Sequence, residues 1–262
     1  MTQTPTDPPP PQPTDDVWSG LRRLTAARIG LARAGGSLAT RPLLEFKLAQ
    51  SQARDAVLEP LDEARLIADL AGLSDPVLSV ASAAADRESY LMRPDLGRRL
   101  AANTVFGAQQ ANRYDVVFVA ADGLSARAVQ RHARDVLART IGALRAEGWR
   151  IAPVVVVRHG RVAIGDAIAA ALNADSVAIL IGERPGLSAA DSMGVYLTWH
   201  PHPATSDADR NCISNIRPDG IGYADAAFKI VHLLRAMRAR RLSGVHLKDD
   251  SDRLLESEAP ID

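Results

Sequence analysis

Residues 115–158 read DVVFVAADGLSARAVQRHARDVLARTIGALRAEGWRIAPVVVVR, and this stretch decides the fold class. It begins and ends with valine-rich apolar runs that do not alternate with polar residues, which is typical of strands buried on both faces of a sheet. Between them, Val129, Ala133, Val136 and Leu137 share one apolar helix face. A strand, a helix and a second strand in this order form a right-handed crossover, so the stretch predicts a parallel sheet.

Three further apolar runs predict additional strands of the same sheet. PVLSVAS occupies residues 76–82, DSVAILIG occupies residues 175–182 and GVYLTW occupies residues 194–199. Helical patterns lie near them, a short one in AIGDAIAAALNA at residues 163–174 and a last one at about residues 223–241. We therefore expect an α/β fold, with a Rossmann-like, mainly parallel sheet and flanking helices.

A helical N-terminal segment, residues 17–74, is predicted to precede this sheet. Apolar residues at helical spacing indicate one helix over residues 17–31, a second over residues 40–57, and a third in DEARLIADLAGL at residues 62–73. The apolar surface of these helices is too small for an independent core. We expect the segment to pack on the following domain or on a partner.

The remaining parts complete a four-part organisation. Residues 1–16, MTQTPTDPPPPQPTDD, contain a proline run and almost no apolar side chains, which predicts a disordered tail. The sheet domain is assigned residues 75–250. Residues 251–262 are predicted to form a flexible C-terminal tail.

Composition excludes several classes of function. The 262 residues include 31 basic and 31 acidic side chains, so the net charge gives no reason to expect nucleic acid or an anionic membrane as a partner. A single cysteine cannot form an internal disulfide, which fits a reducing cytoplasm. We find no apolar signal segment and no run of roughly 20 apolar residues, so we expect a soluble protein.

Four segments are candidates for ligand binding, because ligands of open α/β sheets bind beyond the carboxyl ends of the strands. They are ADGLSA at residues 121–126, HGRVAIGD at residues 159–166, GERPG at residues 182–186, and the polar stretch around Cys212, which we expect to be a loop. Helix N-termini near such segments point backbone amides at a ligand. The sequence thus places a binding site at one edge of the sheet.

Individual residues in these segments suggest contacts with a large ligand. Glu183 follows a buried strand between Gly182 and Pro185, which predicts an open main chain with a carboxylate at its rim, although a solvated turn fits the same string. The glycines around Val162 allow its backbone to lie against a ligand. Cys212 is open to three interpretations: a nucleophile, a ligand contact or a small buried residue.

Catalytic and metal motifs are weak by comparison. Ser125 fits a helix N-cap, and Gly123 before it resembles part of a nucleophile elbow, but Arg127 replaces the second glycine of that motif. His200 and His202 could hold a metal, although no third ligand is evident. No Gly-x-Gly-x-x-Gly motif or P-loop is found, which argues against dinucleotide enzymes and P-loop NTPases.

Seven longer strings, spread from residue 24 to residue 249, together resemble the family of ethanolamine ammonia-lyase small (light) subunits. They follow one another in order along the chain, which makes them far more specific than a short motif. The strings are LTAARIGLARAGGSLATRPLLEFKLAQSQARDAV, SYLMRPDLGRRL, VAADGLSA, GRVAIGD, LIGERPGLSAADSMGVYLT, DRNCISNIRPDGIGYADAA and RRLSGVHLKD.

This resemblance implies a share in an adenosylcobalamin-dependent carbon–nitrogen lyase that converts ethanolamine to acetaldehyde and ammonia through a 5′-deoxyadenosyl radical. The implied partner is a large (heavy) barrel subunit, in a hexamer of heterodimers, with cobalamin held where the two subunits meet. The large subunit would supply most contacts to ethanolamine. No catalytic residue and no metal ligand is therefore assigned to this chain, whose implied role is cofactor binding and orientation.

The family's small-subunit cobalamin contacts fall on Val162, Glu183 and Cys212, all of which match by residue type. These three residues lie in segments that the strand ends also single out. Residues 122–125 are proposed as a supporting wall or a contact to the nucleotide tail of the cofactor.

The binding mode is expected to be base-on. Cobalamin domains that replace the lower base carry Asp-x-His-x-x-Gly, and no such string is found. We therefore expect the cofactor's own dimethylbenzimidazole to stay on cobalt, with neither His159 nor His200 as an axial ligand.

Location and rival functions complete the expectations. The tail at residues 1–16 cannot form an amphipathic helix, so a free cytoplasmic location is favoured over a bacterial microcompartment. One rival is a stand-alone serine hydrolase that uses Ser125. The other is a purely structural assembly subunit that does not touch cobalamin.

Overall fold

The computed structural model describes residues 18–107 and 112–251. The predicted tail at residues 1–16 and all but the first residue of the predicted tail at 251–262 lie outside the described residues. The chain divides into two compact units, residues 1–51 and 52–262. The predicted domain boundaries stay predictions.

In the first unit, the described residues form short elements followed by the start of a long helix. The elements are α1 (Ser19–Arg22), β1 (Arg33–Ala34), β2 (Ser37–Leu38) and α2 (Thr40–Leu58), the last of which continues into the second unit. β1 and β2 pair antiparallel.

The helix predicted for residues 17–31 is wrong over its described part, because helical structure there is limited to α1. The side chains of Leu21 and Leu24 are 47% and 82% exposed, so they do not pack into a core. A helix here would therefore gain little stability from packing. Arg22 instead donates from Nε to the carbonyl of Ile29, at 2.9 Å, across the following loop. The second predicted helix is confirmed as α2.

The second unit contains a six-stranded sheet with helices on both faces. Its helices are α3 (Glu63–Leu70), α4 (Arg87–Met92), α5 (Ala126–Ala146), α6 (Ile164–Ala171) and α7 (Tyr223–Arg240). Its strands are β3 (Leu78–Ala81), β4 (Val117–Ala121), β5 (Val155–Arg158), β6 (Ser176–Gly182), β7 (Met193–Trp199) and β8 (Arg210–Ile216). Among the described helices, none is long and apolar enough to cross a membrane.

The strand order is β3-β5-β4-β6-β7-β8. β3, β5, β4 and β6 pair parallel, and β7 pairs antiparallel with both β6 and β8. Five of the six strands therefore run in the same direction. The predicted α/β, Rossmann-like, mainly parallel sheet with flanking helices is confirmed.

The stretch around Cys212 was expected to be a polar loop, and this expectation is wrong because it forms the edge strand β8. Polar residues hid the strand pattern. Arg210 and Asn211 are buried. Arg210 donates to Asp166, although its Nε atom has no hydrogen-bond partner, and Asn211 donates to the carbonyl of Leu247. A buried strand that carries an arginine and an asparagine lacks the apolar signature on which the prediction rested.

The sheet has a large core on one face and a smaller core on the other. α3, α5 and α7 cover the first face, where Val195 and Ile213 are buried. On the second face, the smaller core joins α6 to residues of β4, β5 and β6. Tyr196 and Cys212 are register partners on β7 and β8 and point to this second face, where Cys212 is exposed. The outer part of the second face is therefore open beside α6.

Candidate functional site

A cavity of about 440 Å³ lies at the carboxyl ends of the central strands. Three of the four predicted segments contribute to its wall, and the cavity brings Val162 and Glu183 together. Cys212 is not in the wall, but its register partner Tyr196 is. The lining residues are Tyr90, Gly123, Leu124, Arg161, Val162, Ile181, Gly182, Glu183, Arg184 and Tyr196.

Two glycines hold the segments after β4 and β6 in direct contact. A Cβ atom at Gly182 would lie 2.0 Å from the carbonyl oxygen of Ser125, and one at Gly123 would lie 2.3 Å from the carbonyl oxygen of Gly182. Gly123 also has a φ of +55°, which favours glycine. The backbone N–H of Leu124 donates to Gly182 across this contact, at 2.9 Å. The glycine at 182 is thus required by contact with the neighbouring loop, rather than by approach of a ligand as the sequence suggested.

Glu183 is half-buried and held in a fixed position. The hydroxyl of Ser192 donates to its Oε2 atom, and the backbone N–H of Asn215 lies 3.3 Å from both carboxylate oxygens. A Cβ atom at Gly194 would lie 2.8 Å from Oε1, so the missing side chain makes room for the carboxylate. A freely solvated glutamate on an ordinary turn does not describe this arrangement.

Val162 lies between the cavity and the smaller core. Its side chain is partly buried and packs against that core, which includes Ile164 of α6. Just before it, the backbone N–H of Arg161 donates to the carbonyl of Gly97, at 2.8 Å. The bond of Arg161 and the packing of Val162 therefore hold this part of the cavity wall in place.

Cys212 carries a protonated thiol at neutral pH. Although the residue is exposed, desolvation of its thiol raises the pKa above the usual value, and the Glu183 carboxylate raises it further. A hydrogen bond with Tyr196 acts in the opposite direction but does not cancel the rise. Desolvation, with the neighbouring Cys212 and Glu183, raises the pKa of Tyr196 to about 12. Because the thiolate is the nucleophile, this setting argues against a catalytic thiol.

Asp122 supports the cavity from behind rather than lining it. Its Oδ1 atom accepts from the backbone N–H of Gly160, at 3.1 Å, and its Oδ2 atom lies 3.6 Å from Arg87. Arg87 also donates to the carbonyl of Gly123, at 2.7 Å. Burial raises the pKa of Asp122, while the backbone N–H of His159 and the charge of Arg87 oppose the rise. These bonds tie the segments after β4 and β5 together.

Ser125 is fully buried and does not fit a nucleophile. It stands at the predicted N-cap position of α5. Its hydroxyl donates to the carbonyl of Ala190, at 3.0 Å, and makes no capping bond to the helix. His200 lies 3.6 Å from Asp175, and the Nδ1 atom of His202 accepts from Ala204. In residues 18–107 and 112–251, no group of three or more histidine, cysteine, aspartate or glutamate side chains could hold a metal ion.

Sequence reasoning missed two aromatic and two basic residues of the cavity. Tyr90 lies on α4, which no apolar pattern indicates. The guanidinium groups of Arg87 and Arg161 lie 4.9 and 4.2 Å from the centroid of its ring. Arg161 and Arg184 lie in the candidate segments HGRVAIGD and GERPG, but the sequence predicted contacts only for their neighbours Val162 and Glu183. Tyr196 could be found only through its pairing with Cys212.

A model of the family described as ethanolamine ammonia-lyase light chain matches residues 15–248. That span contains the whole sheet and every residue of the cavity wall. The chain belongs to the ethanolamine ammonia-lyase light-chain family. Its light-chain relatives are also similar over nearly their full lengths, and those compared below are all named ethanolamine ammonia-lyase small subunit.

Three of these relatives give the degree of similarity. The protein of Ralstonia nicotianae is 50% identical over 91% of this chain and 90% of its own length. That of Pseudomonas fluorescens is 50% identical, with coverage of 97% and 94%. That of Xanthomonas campestris pv. campestris is 51% identical, with coverage of 94% and 92%.

Proposed function

We propose that this chain is the small subunit of an adenosylcobalamin-dependent ethanolamine ammonia-lyase, which converts ethanolamine to acetaldehyde and ammonia. Its role is to bind and orient cobalamin at the interface with a large barrel subunit. One observation carries the proposal: a chain of the light-chain family brings Val162 and Glu183 into one cavity, beside the strand that bears Cys212. The expected assembly is a hexamer of such heterodimers.

The residues of the cavity fit part of a corrinoid. The periphery of a corrin ring bears amide side chains, whose N–H groups suit the fixed carboxylate of Glu183. Arg161 and Arg184 also line the cavity, so its wall offers N–H donors as well. A volume of about 440 Å³ is too small for a whole cobalamin, which agrees with a site that is shared with a partner.

The chain's own residues would hold the cofactor and leave the chemistry to it. Bound adenosylcobalamin would supply the radical that abstracts hydrogen from ethanolamine. Glu183 would fix the orientation of the corrin edge, and Val162 would present an apolar wall. Cys212 would contact the cofactor as a neutral thiol. The dimethylbenzimidazole base is expected to remain on cobalt, and ethanolamine is expected to be bound mainly by the large subunit.

Co-expression with the large subunit tests the proposal. The two chains should co-purify, retain cobalamin, and release acetaldehyde and ammonia from ethanolamine when adenosylcobalamin is added. Failure to associate, with no deamination, would contradict it. We expect the complex in the cytoplasm, and enclosure in a bacterial microcompartment is the less favoured location.

The hydrolase alternative has its own test. Purified chain without its partner should show no hydrolysis of activated esters, because Ser125 is buried and bonded to a carbonyl. Ester hydrolysis that disappears in Ser125→Ala would favour that alternative instead.

A further inference from the structure

Two arginines of the cavity wall lack carboxylate partners. Arg161 and Arg184 both line the cavity, and neither forms an ion pair within the described residues. Many arginines of this unit are paired, as Arg150 is with Asp115 at 2.8 Å. Glu183, the one acidic lining residue, is bonded to other groups and pairs with neither arginine. The wall thus carries one negative and two positive side chains.

Arg161 is held in one orientation while part of its guanidinium is unused. Its charge stacks on the ring of Tyr90 at 4.2 Å, and its Nη2 atom donates to the carbonyl of Tyr90 at 3.1 Å. A Cβ atom at Gly97 would lie 2.7 Å from Cγ of Arg161, so the glycine gives the side chain its space. Its Nε atom is buried without a partner. The guanidinium therefore keeps N–H groups that have no acceptor among the described residues.

The neighbouring Arg87 adds a second buried donor without a partner, its Nη2 atom. Its guanidinium also lies near the Tyr90 ring, 4.9 Å from the ring centroid. Its charge is balanced by Asp122, at 3.6 Å, whereas that of Arg161 is not. Arg161, with Arg184 at the exposed edge, is therefore the part of the wall suited to a negative group.

We infer that Arg161 and Arg184 bind an anionic group of the phosphate type. Guanidinium groups match phosphate oxygens with two parallel N–H bonds. Neither arginine would have to break an ion pair with a carboxylate in order to bind such a group. The inference rests on the proposed function, under which the anion is the phosphodiester in the nucleotide loop of cobalamin. Free phosphate has the same chemistry and is the other source.

Cobinamide separates these sources, because it keeps the corrin ring and lacks the nucleotide loop with its phosphodiester. Dissociation constants of cyanocobalamin and dicyanocobinamide would be measured by equilibrium dialysis on the cofactor-free complex with the large subunit. Arg161→Gln should raise the dissociation constant of cyanocobalamin about 10-fold or more, because a charged hydrogen bond is lost. Arg184→Gln should raise it about threefold, because its side chain is exposed. The dissociation constant of dicyanocobinamide should change less than about twofold in both variants.

Controls keep the test decisive. Arg240→Gln, at the exposed end of α7, should change neither constant. If Arg161→Gln does not co-purify with the large subunit, Arg184→Gln decides alone. Equal weakening of both corrinoids would overturn the inference, and so would unchanged binding of both without any Arg161-dependent binding of inorganic phosphate. Arg161-dependent binding of inorganic phosphate, with no effect on cobalamin, would assign the site to free phosphate. A wild-type complex that binds neither corrinoid would instead reject the proposed function.

Discussion

At the scale of single residues, the position of Glu183 depends on a side chain that is missing. Gly194 on β7 leaves the space that the carboxylate fills, since a Cβ atom there would approach Oε1 to 2.8 Å and Cγ to 3.4 Å. Ser192 and Asn215 then fix the two oxygens. The position of Glu183 therefore depends on Gly194 of the neighbouring strand β7, which lies outside the string GERPG.

Gly194→Ala tests this arrangement. We expect the added methyl to displace Glu183 and to weaken cobalamin binding by the complex about 10-fold, because a charge-assisted contact is lost. Gly142→Ala on α5 is the matched control, since nothing lies within 4 Å of its Cβ position. That control should bind cobalamin normally and be about 1 kcal/mol more stable. Normal binding by Gly194→Ala would show that Glu183 does not need its present position.

His132 predicts a pH dependence of stability. The carbonyl of Asp191 can only accept, so Nε2 carries the proton, and Nδ1 accepts from the hydroxyl of Tyr223, at 2.8 Å. Burial lowers the pKa of His132 below its usual 6.5, and the Asp191 carboxylate opposes this only in part. A histidine whose pKa is lower in the folded chain stabilises the fold above its usual pKa, and that stability is lost as the pH falls below it.

Urea denaturation at about pH 7.5 and about pH 5.5 measures this effect, because the two values lie on either side of the usual histidine pKa. The wild-type midpoint should fall with pH. His132→Gln should be less stable at the higher pH, and its midpoint should fall less. An equal fall in both proteins would exclude His132 as the source.

The position of a residue could be predicted where the end of a strand determines it. Glu183 follows β6 directly, Val162 lies in the segment after β5, and parallel strands bring their carboxyl ends to the same edge. Arg161 and Tyr196 were missed as cavity residues, since their places depend on stacking against Tyr90 and on pairing across β7 and β8. Neither contact has a local sequence signal.

At the scale of elements, β8 separates the two faces of the sheet. Ile213 is 3% exposed in the large core, and Cys212 beside it is exposed on the other face. Successive residues of a strand alternate in this way. One strand therefore carries a structural residue and a candidate contact in adjacent positions.

Alanine substitution should separate the two roles. Ile213→Ala is expected to lower the free energy of unfolding by about 2–5 kcal/mol, since it leaves a cavity in the core. Cys212→Ala should change it by less than about 1 kcal/mol, and should weaken cobalamin binding modestly without changing the reaction. Urea denaturation and cobalamin titration provide the two readouts. Loss of turnover in Cys212→Ala with cofactor fully bound would reopen the catalytic role of the thiol.

Strands and helices could be predicted where their buried residues form an uninterrupted apolar pattern. The strands β3 to β6 are near-continuous apolar runs, and α5 has one clear apolar face, so the sequence predicted them. The strand β8 was missed because polar residues interrupt its apolar pattern, among them Arg210, which needs Asp166 of α6 as a partner. The helix α4 was missed because it is short and buries Tyr90 alone.

At the scale of the whole molecule, the sheet edge gathers segments that are far apart in sequence. The segments after β4, β5 and β6 meet at one cavity, and the open face of β7 and β8 extends beside it. The fold class and this location could be predicted from the sequence. The cavity wall could not, since it depends on contacts such as that between Gly123 and Gly182.

The central claim is that this chain contributes cofactor contacts and is more than an assembly subunit. The affinity of the co-purified complex for cobalamin, with wild-type chain and with Glu183→Ala plus Cys212→Ala, tests it most directly. We predict that the double variant still assembles with the large subunit and binds cobalamin about 10-fold or more weakly. Unchanged affinity in the assembled complex would contradict the claim and favour a purely structural role.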